Sequence, residues 1–117
     1  MGAERPADPR RKITRAMARR LAQSKGRAVA GVAFAAIEAD KLTLASFAAR
    51  AAARDAQIRE KLAAIMARIG AWEQTTGQRA EVTFRPQEAA VAITAPATLF
   101  EELAGDDAVA AVDVDTP

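Results

Sequence analysis

The fold turns on Ala28-Val29-Ala30-Gly31-Val32-Ala33-Phe34-Ala35-Ala36-Ile37-Glu38. Val29, Val32, Ala33, Ala36 and Ile37 suit the three-to-four spacing of a helix, while Val32, Phe34 and Ala36 alternate as a strand does. Periodicity leaves both readings open. Immediately downstream, Asp40 or Thr43 is placed to cap a long helix in which Leu44, Phe47, Ala51, Ile58, Leu62, Ile65, Ile69 and Trp72 recur mostly three and four apart, ending by Gly77. Asp55 and the many alanines weaken this stripe as a coiled-coil seam, so packing on a sheet is expected.

Beyond Thr75-Thr76-Gly77 the pattern changes to that of strands. Glu81-Val82-Thr83-Phe84-Arg85 alternates polar and apolar side chains, Pro86-Gln87-Glu88 supplies a turn, and Ala90-Val91-Ala92-Ile93-Thr94 alternates again, which predicts a hairpin. Pro96 opens a short helix with Leu99, Phe100 and Leu103 inward, Gly105-Asp106-Asp107 stops it, and Val109 to Val114 forms a last strand. If 28–38 is a strand, the order is βαββαβ: an α+β, ferredoxin-like plan with two helices on one face of a four-stranded antiparallel sheet. If it is a helix, three strands lie under a helical bundle. The strand reading is the expectation carried forward.

Upstream, Asp8-Pro9 suits a helix start, and Ile13, Met17 and Leu21 recur every four residues in a short amphipathic helix ending near Lys25-Gly26. Residues 1–27 hold nine basic side chains against Glu4 and Asp8, a net of +7, whereas the remaining 90 residues carry a net of −5. A basic arm, 1–27, on an acidic body, 28–117, presents two surfaces. Arg11, Lys12, Arg15, Arg19 and Arg20 are the candidate polyanion-binding set. They could follow a phosphate backbone, although the helix lacks aromatic residues for base stacking. Anionic lipid, an acidic protein surface, or docking of the helix by its apolar stripe on this domain or another subunit are the other readings.

Composition narrows the chemistry. Of the 117 residues, 32 are alanine and only 27 are larger apolar residues, so the core is thin and alanine-lined. Cys, His and Tyr are absent. That removes disulfides, thiolate and imidazole chemistry and nearly every zinc or haem site. Ser24-Lys25 and Ser46 have no accompanying base, Gly26 and Gly31 make no phosphate loop, and the acidic pairs Glu101-Glu102 and Asp106-Asp107 read as solvated surface. The expectation is a protein that is not an enzyme, with no metal and no cofactor. Trp72 is expected to close the core. The charge-free stretch Ala28–Ile37 is too short to span a membrane, which needs about 20 residues. It is also weakly apolar for a signal peptide, so the cytoplasm is the default and secretion stays open.

Over roughly Thr76–Asp115, and most densely from Phe100 to Asp115, the chain resembles the propeptide-like inhibitor domains of subtilisin-type serine proteases. Those propeptides share the βαββαβ plan. They finish with a short helix ending in Leu, a tight turn containing Asp, a strand reading Val, small, variable, Val, and a cluster of acids. The resemblance implies a sheet laid across two surface helices of a subtilisin-like serine protease, with carboxylates at Asp113 and Asp115 capping the amino ends of those helices. Residues two apart on a strand share a face, and a helix start offers unpaired amides and a positive dipole end to an anion. In the family the tail then enters the active-site cleft; here only Thr116 and Pro117 follow, so docking by Asp113, Asp115, Thr116 and Pro117 is expected rather than inhibition of the usual kind. The expected function is a non-catalytic protein-binding domain, acting as a protease inhibitor or a chaperone-like partner in trans. The competing class is a structural or assembly subunit whose basic N-terminal helix contacts nucleic acid or an acidic partner. Either class is compatible with a homo-oligomer.

Overall fold

A computed structural model describes residues 12–38 and 46–114. The deciding stretch is a strand, β1 (Ala28–Ala35). It follows helix α1 (Arg15–Gln23) and precedes α2 (Phe47–Thr76), β2 (Glu81–Arg85), β3 (Ala90–Pro96), α3 (Ala97–Ala104) and β4 (Val109–Val114). The protein is therefore α+β, with three helices and one four-stranded antiparallel sheet among the described residues. The strand order is β2-β3-β1-β4, which leaves β2 and β4 as the edges. Hairpin β2–β3 turns through a single 3₁₀ turn at Pro86–Glu88 and a left-handed Ala89, in keeping with the turn expected of Pro-Gln-Glu.

Alternation divides the sheet into two faces. Val29, Gly31, Ala33 and Ala35 of β1, Val91, Ile93 and Ala95 of β3, and Val112 and Val114 of β4 point toward the helices, where Ile58, Leu62, Ile65, Ile69 and Trp72 of α2 and Leu99, Phe100 and Leu103 of α3 complete one core. Trp72 does close this core: it is buried, and its indole Nε1 donates to Thr98 Oγ1 at 3.1 Å.

Several boundaries differ from the sequence reading, each for a local reason. Asp40, Thr43 and Leu44 lie outside the described residues. Ser46, in extended backbone, caps α2, its Oγ accepting from Ala49 N at 3.2 Å. Phe47 and Ala51, read as part of the buried stripe, are exposed, Phe47 by 80%. A 30-residue helix is about 45 Å long while the eight residues of β1 span only about 26 Å, so α2 overhangs the sheet and its stripe begins at Ile58. At its other end Gly77 supplies the left-handed cap, φ 74°. Asp8 and Pro9 also lie outside the described residues. Thr14 caps α1 from extended backbone, its Oγ1 accepting from Met17 N at 3.1 Å.

Candidate functional site

The helix layer covers one face of the sheet. The other presents Ala30, Val32 and Phe34 of β1, Ala92 and Thr94 of β3, Thr83 of β2, and Ala111 and Asp113 of β4. Ala30, Thr83, Ala111 and Asp113 are exposed, and Val32, Phe34, Ala92 and Thr94 half-buried, so none of the described elements covers this face. Val32 and Phe34 lie at its middle among the smaller Ala30, Ala92, Thr94 and Ala111, and Glu81 and Arg85 share it at the β2 edge. Asp113 sits at its margin, paired in register with Val32. Asp115, Thr116 and Pro117, named with it in the sequence analysis, lie outside the described residues.

The basic set is divided by its helix. Met17 and Leu21 of α1 are buried in the common core, with Ile13 packed against it. Two cations of the set turn toward the domain: Lys12 Nζ donates to Asp106 O at 2.8 Å and Arg20 to Val114 O at 3.3 Å. These contacts lay α1 alongside β4, Lys12 near its start and Arg20 at its end. Arg15 and Arg19 are exposed. Arg11 lies outside the described residues. The structure thus brings Lys12 and Arg20 to backbone carbonyls and leaves Arg15 and Arg19 toward solvent.

Asp106 is the residue the sequence reading missed. Taken as solvated, it is instead the junction of three elements, its side chain only 15% exposed. Its Oδ1 accepts from Ala108 N at 2.8 Å and its Oδ2 from Arg68 Nε of α2 at 2.9 Å, while its backbone O takes the Lys12 ammonium. Burial pushes its carboxyl up, but the Ala108 amide, the Arg68 guanidinium and the Lys12 charge together hold it below the usual carboxylate range. The hydrogen bond to Asp106 correspondingly raises Arg68. This carboxylate joins structural elements, each of its oxygens already bonded within the fold. A signal was present in the sequence: an Asp two residues before a buried small residue, after a helix-stopping Gly, is a side-chain-to-backbone turn.

An open groove between α2 and α3 is lined by Arg68, Trp72, Thr75, Thr98, Glu101 and Glu102. The guanidinium in its wall is already committed, Arg68 lying 2.9 Å from Asp106 and 3.8 Å from Glu102. Among the described residues no buried side-chain nitrogen or oxygen lacks a hydrogen-bond partner, and no group of three Asp or Glu could hold a metal ion. No described helix is long and apolar enough to cross a membrane. No protein-family model, curated protein or solved structure matches the chain.

Proposed function

We propose that the protein is a non-catalytic docking domain that binds another protein with the open face of its sheet, in the manner of the subtilisin propeptides that its second half resembles. The observation that carries this reading is the uncovered face around Val32 and Phe34, with an exposed carboxylate, Asp113, on its margin. An apolar face around Val32 and Phe34, bordered by small residues, can receive the helices of a partner, and a carboxylate beside it can accept from the free amides of a helix start. The ferredoxin-like plan belongs to the same reading; it is supported by a first strand lying between the third and fourth, and by α2 and α3 sharing one core. The partner class is a subtilisin-type serine protease, held as an inhibitor or a chaperone-like partner in trans would hold it.

The test is calorimetric titration of the full chain into a subtilisin-type protease with its nucleophile blocked. The parent is expected to bind. Asp113→Asn should weaken binding several-fold, since a carboxylate at a helix start is worth about 0.3–1 kcal/mol, and up to about 2 when partly buried. Val32→Arg, which sets a charge in the middle of the face, should weaken it more than about tenfold, the equivalent of 1.4 kcal/mol. Both variants should melt with the parent. No association of the parent, or equal affinity in all three proteins, defeats the reading.

A further inference from the structure

The two edges of the sheet are not alike. At β4 the register with β1 shifts between Phe34 and Ala35, Arg20 of α1 reaches the Val114 carbonyl at its end, and Lys12, just before α1, reaches the Asp106 carbonyl in the turn that precedes it. A bulge and a neighbouring charged helix are devices that blunt an edge. Among the described residues β2 has neither: its five residues pair with β3 in unbroken register, and no described strand pairs with its outer side. Phe84, on the helix-facing side of this strand, is 48% exposed because the helix layer stops short of it.

The sequence of β2 is complementary to itself. Placed antiparallel to a second copy about a two-fold axis at Thr83, Glu81 faces Arg85 of the other copy, Val82 faces Phe84, and Thr83 faces Thr83. Glu81, Thr83 and Arg85 share the open face, so each carboxylate meets a guanidinium on one side of the joined sheet. The four Val82 and Phe84 side chains meet on the other side, where Phe84 is uncovered. The backbone is equally self-consistent: the residues whose N–H and C=O point outward alternate along the strand, and the two-fold maps either alternate set onto itself. Neighbouring registers are worse. Sliding the copies two pairs one way sets Glu81 against Glu81 and two pairs the other way Arg85 against Arg85, opposing like charges; one pair toward the first sets Glu81 against Thr83 and loses both ion pairs, and one pair toward the second sets Val82 against Pro86, which has no N–H. The strand's charges therefore both discourage misaligned pairing and select one register.

We infer that β2 is a dimerisation edge whose occupant is the β2 of a second copy of this chain, forming a continuous eight-stranded antiparallel sheet. The interface is isologous, as a two-fold dimer requires. Its axis is perpendicular to the sheet, so both open faces look the same way and the dimer presents them as one doubled surface. Arg85 gives up little in turning outward, since its contact with Glu88 is 3.8 Å long and half exposed. An edge of five residues belongs to the weak interface class, so the dimer is concentration-dependent.

Sedimentation equilibrium of the full chain up to about 1 mM reads it. The parent should shift from monomer to dimer. Glu81→Arg and Arg85→Glu, each placing two like-charge pairs across the axis, should each be monomeric where the parent is dimeric, with dissociation constants at least about tenfold higher. Mixed in equal amounts, they should recover a dimer, because positions 81 and 85 are then both basic in one copy and both acidic in the other, and every cross-axis pair is again of opposite charge. Melting curves confirm that each variant is folded, and Thr83→Lys, which sets two ammonium groups face to face, serves as a second variant that should also be monomeric. A parent that stays monomeric to the highest concentration, a dimer that survives either reversal, or folded single variants that fail to associate on mixing overturns the inference. Because these variants alter the open face, protease binding is read on the parent alone, at a concentration where it is monomeric, so failure here leaves the open-face reading standing and the reverse holds too.

Discussion

Gly31 lies on the helix-facing side of β1, where a Cβ would come within 2.6 Å of Phe100 Cε1 and 2.8 Å of Asp113 O. The second of these is backbone of the neighbouring strand and cannot turn aside. Glycine here lets a fully buried phenyl ring lie on the strand, one of the uses of glycine inside a sheet. Gly31→Ala should therefore destabilise the protein by about 1–3 kcal/mol, the usual cost of overpacking, despite alanine's lower backbone entropy cost; chemical denaturation of the two proteins measures it. Asp106 makes the complementary case, a polar residue retained for its bonds. Arg68 is half exposed, so its pairing is screened and the contribution of the Asp106 side chain is about 1–2 kcal/mol, most of it from the buried Ala108 amide. Because the folded carboxyl lies below its ordinary value of 3.8, this stabilisation is complete above that value and is lost as the pH falls through the lowered one. Asp106→Asn should accordingly be less stable than the parent at neutral pH, with the difference narrowing below about pH 4; parallel urea titrations at pH 7 and pH 3 test the sign.

Strands and helices in this chain were legible to different degrees, and the reasons are physical. The βαββαβ succession, β4 and the C-terminal half of α2 were readable because burial on one side of a packed layer imposes a period, two for β3 and for Val112 to Val114 of β4 and 3.6 for residues 58–72 of α2. β1 was ambiguous because alanine satisfies either period: four of its eight residues are Ala, and one more is Gly. What decided it was tertiary, the pairing with β3 and β4 on both sides. The overhang of α2 was misread for the opposite reason. Phe47 and Ala51 continue the helical spacing, but nothing in that spacing reports where the sheet ends. The open face was legible only as alternation, and of the acids proposed for it Asp113 falls where that alternation puts it. Asp106 was missed because its partners, Lys12 and Arg68, lie 94 and 38 residues away in sequence.

The division into a basic first quarter and an acidic remainder bears on how the molecule holds together. With +7 on residues 1–27 and −5 on the rest, an arm free in solution would be drawn back by charge alone, and that attraction would fade with salt. The docked α1 depends on more than charge. Leu21 is 3% and Met17 9% exposed, and burying each contributes about 1.5–3 kcal/mol as an upper estimate. Their sum is a large share of the roughly 5–15 kcal/mol that keeps a domain folded. Leu21→Ala should thus cost about 2–5 kcal/mol, and a chain lacking residues 1–27 should melt more than about 10 °C below the full chain, in high salt as well as low. Deletion is consequently the wrong instrument for reading polyanion binding, since it removes core as well as charge. Arg15→Glu with Arg19→Glu alters exposed residues that neither fill the core nor hold a backbone carbonyl, and should leave the melting temperature within about 1–2 °C of the parent. If α1 is a polyanion-binding surface, that double variant loses DNA affinity most clearly at low salt, where fluorescence anisotropy would show it. A chain without residues 1–27 that melts with the parent would instead mean that Met17 and Leu21 contribute nothing to the core and that the segment is a detachable arm.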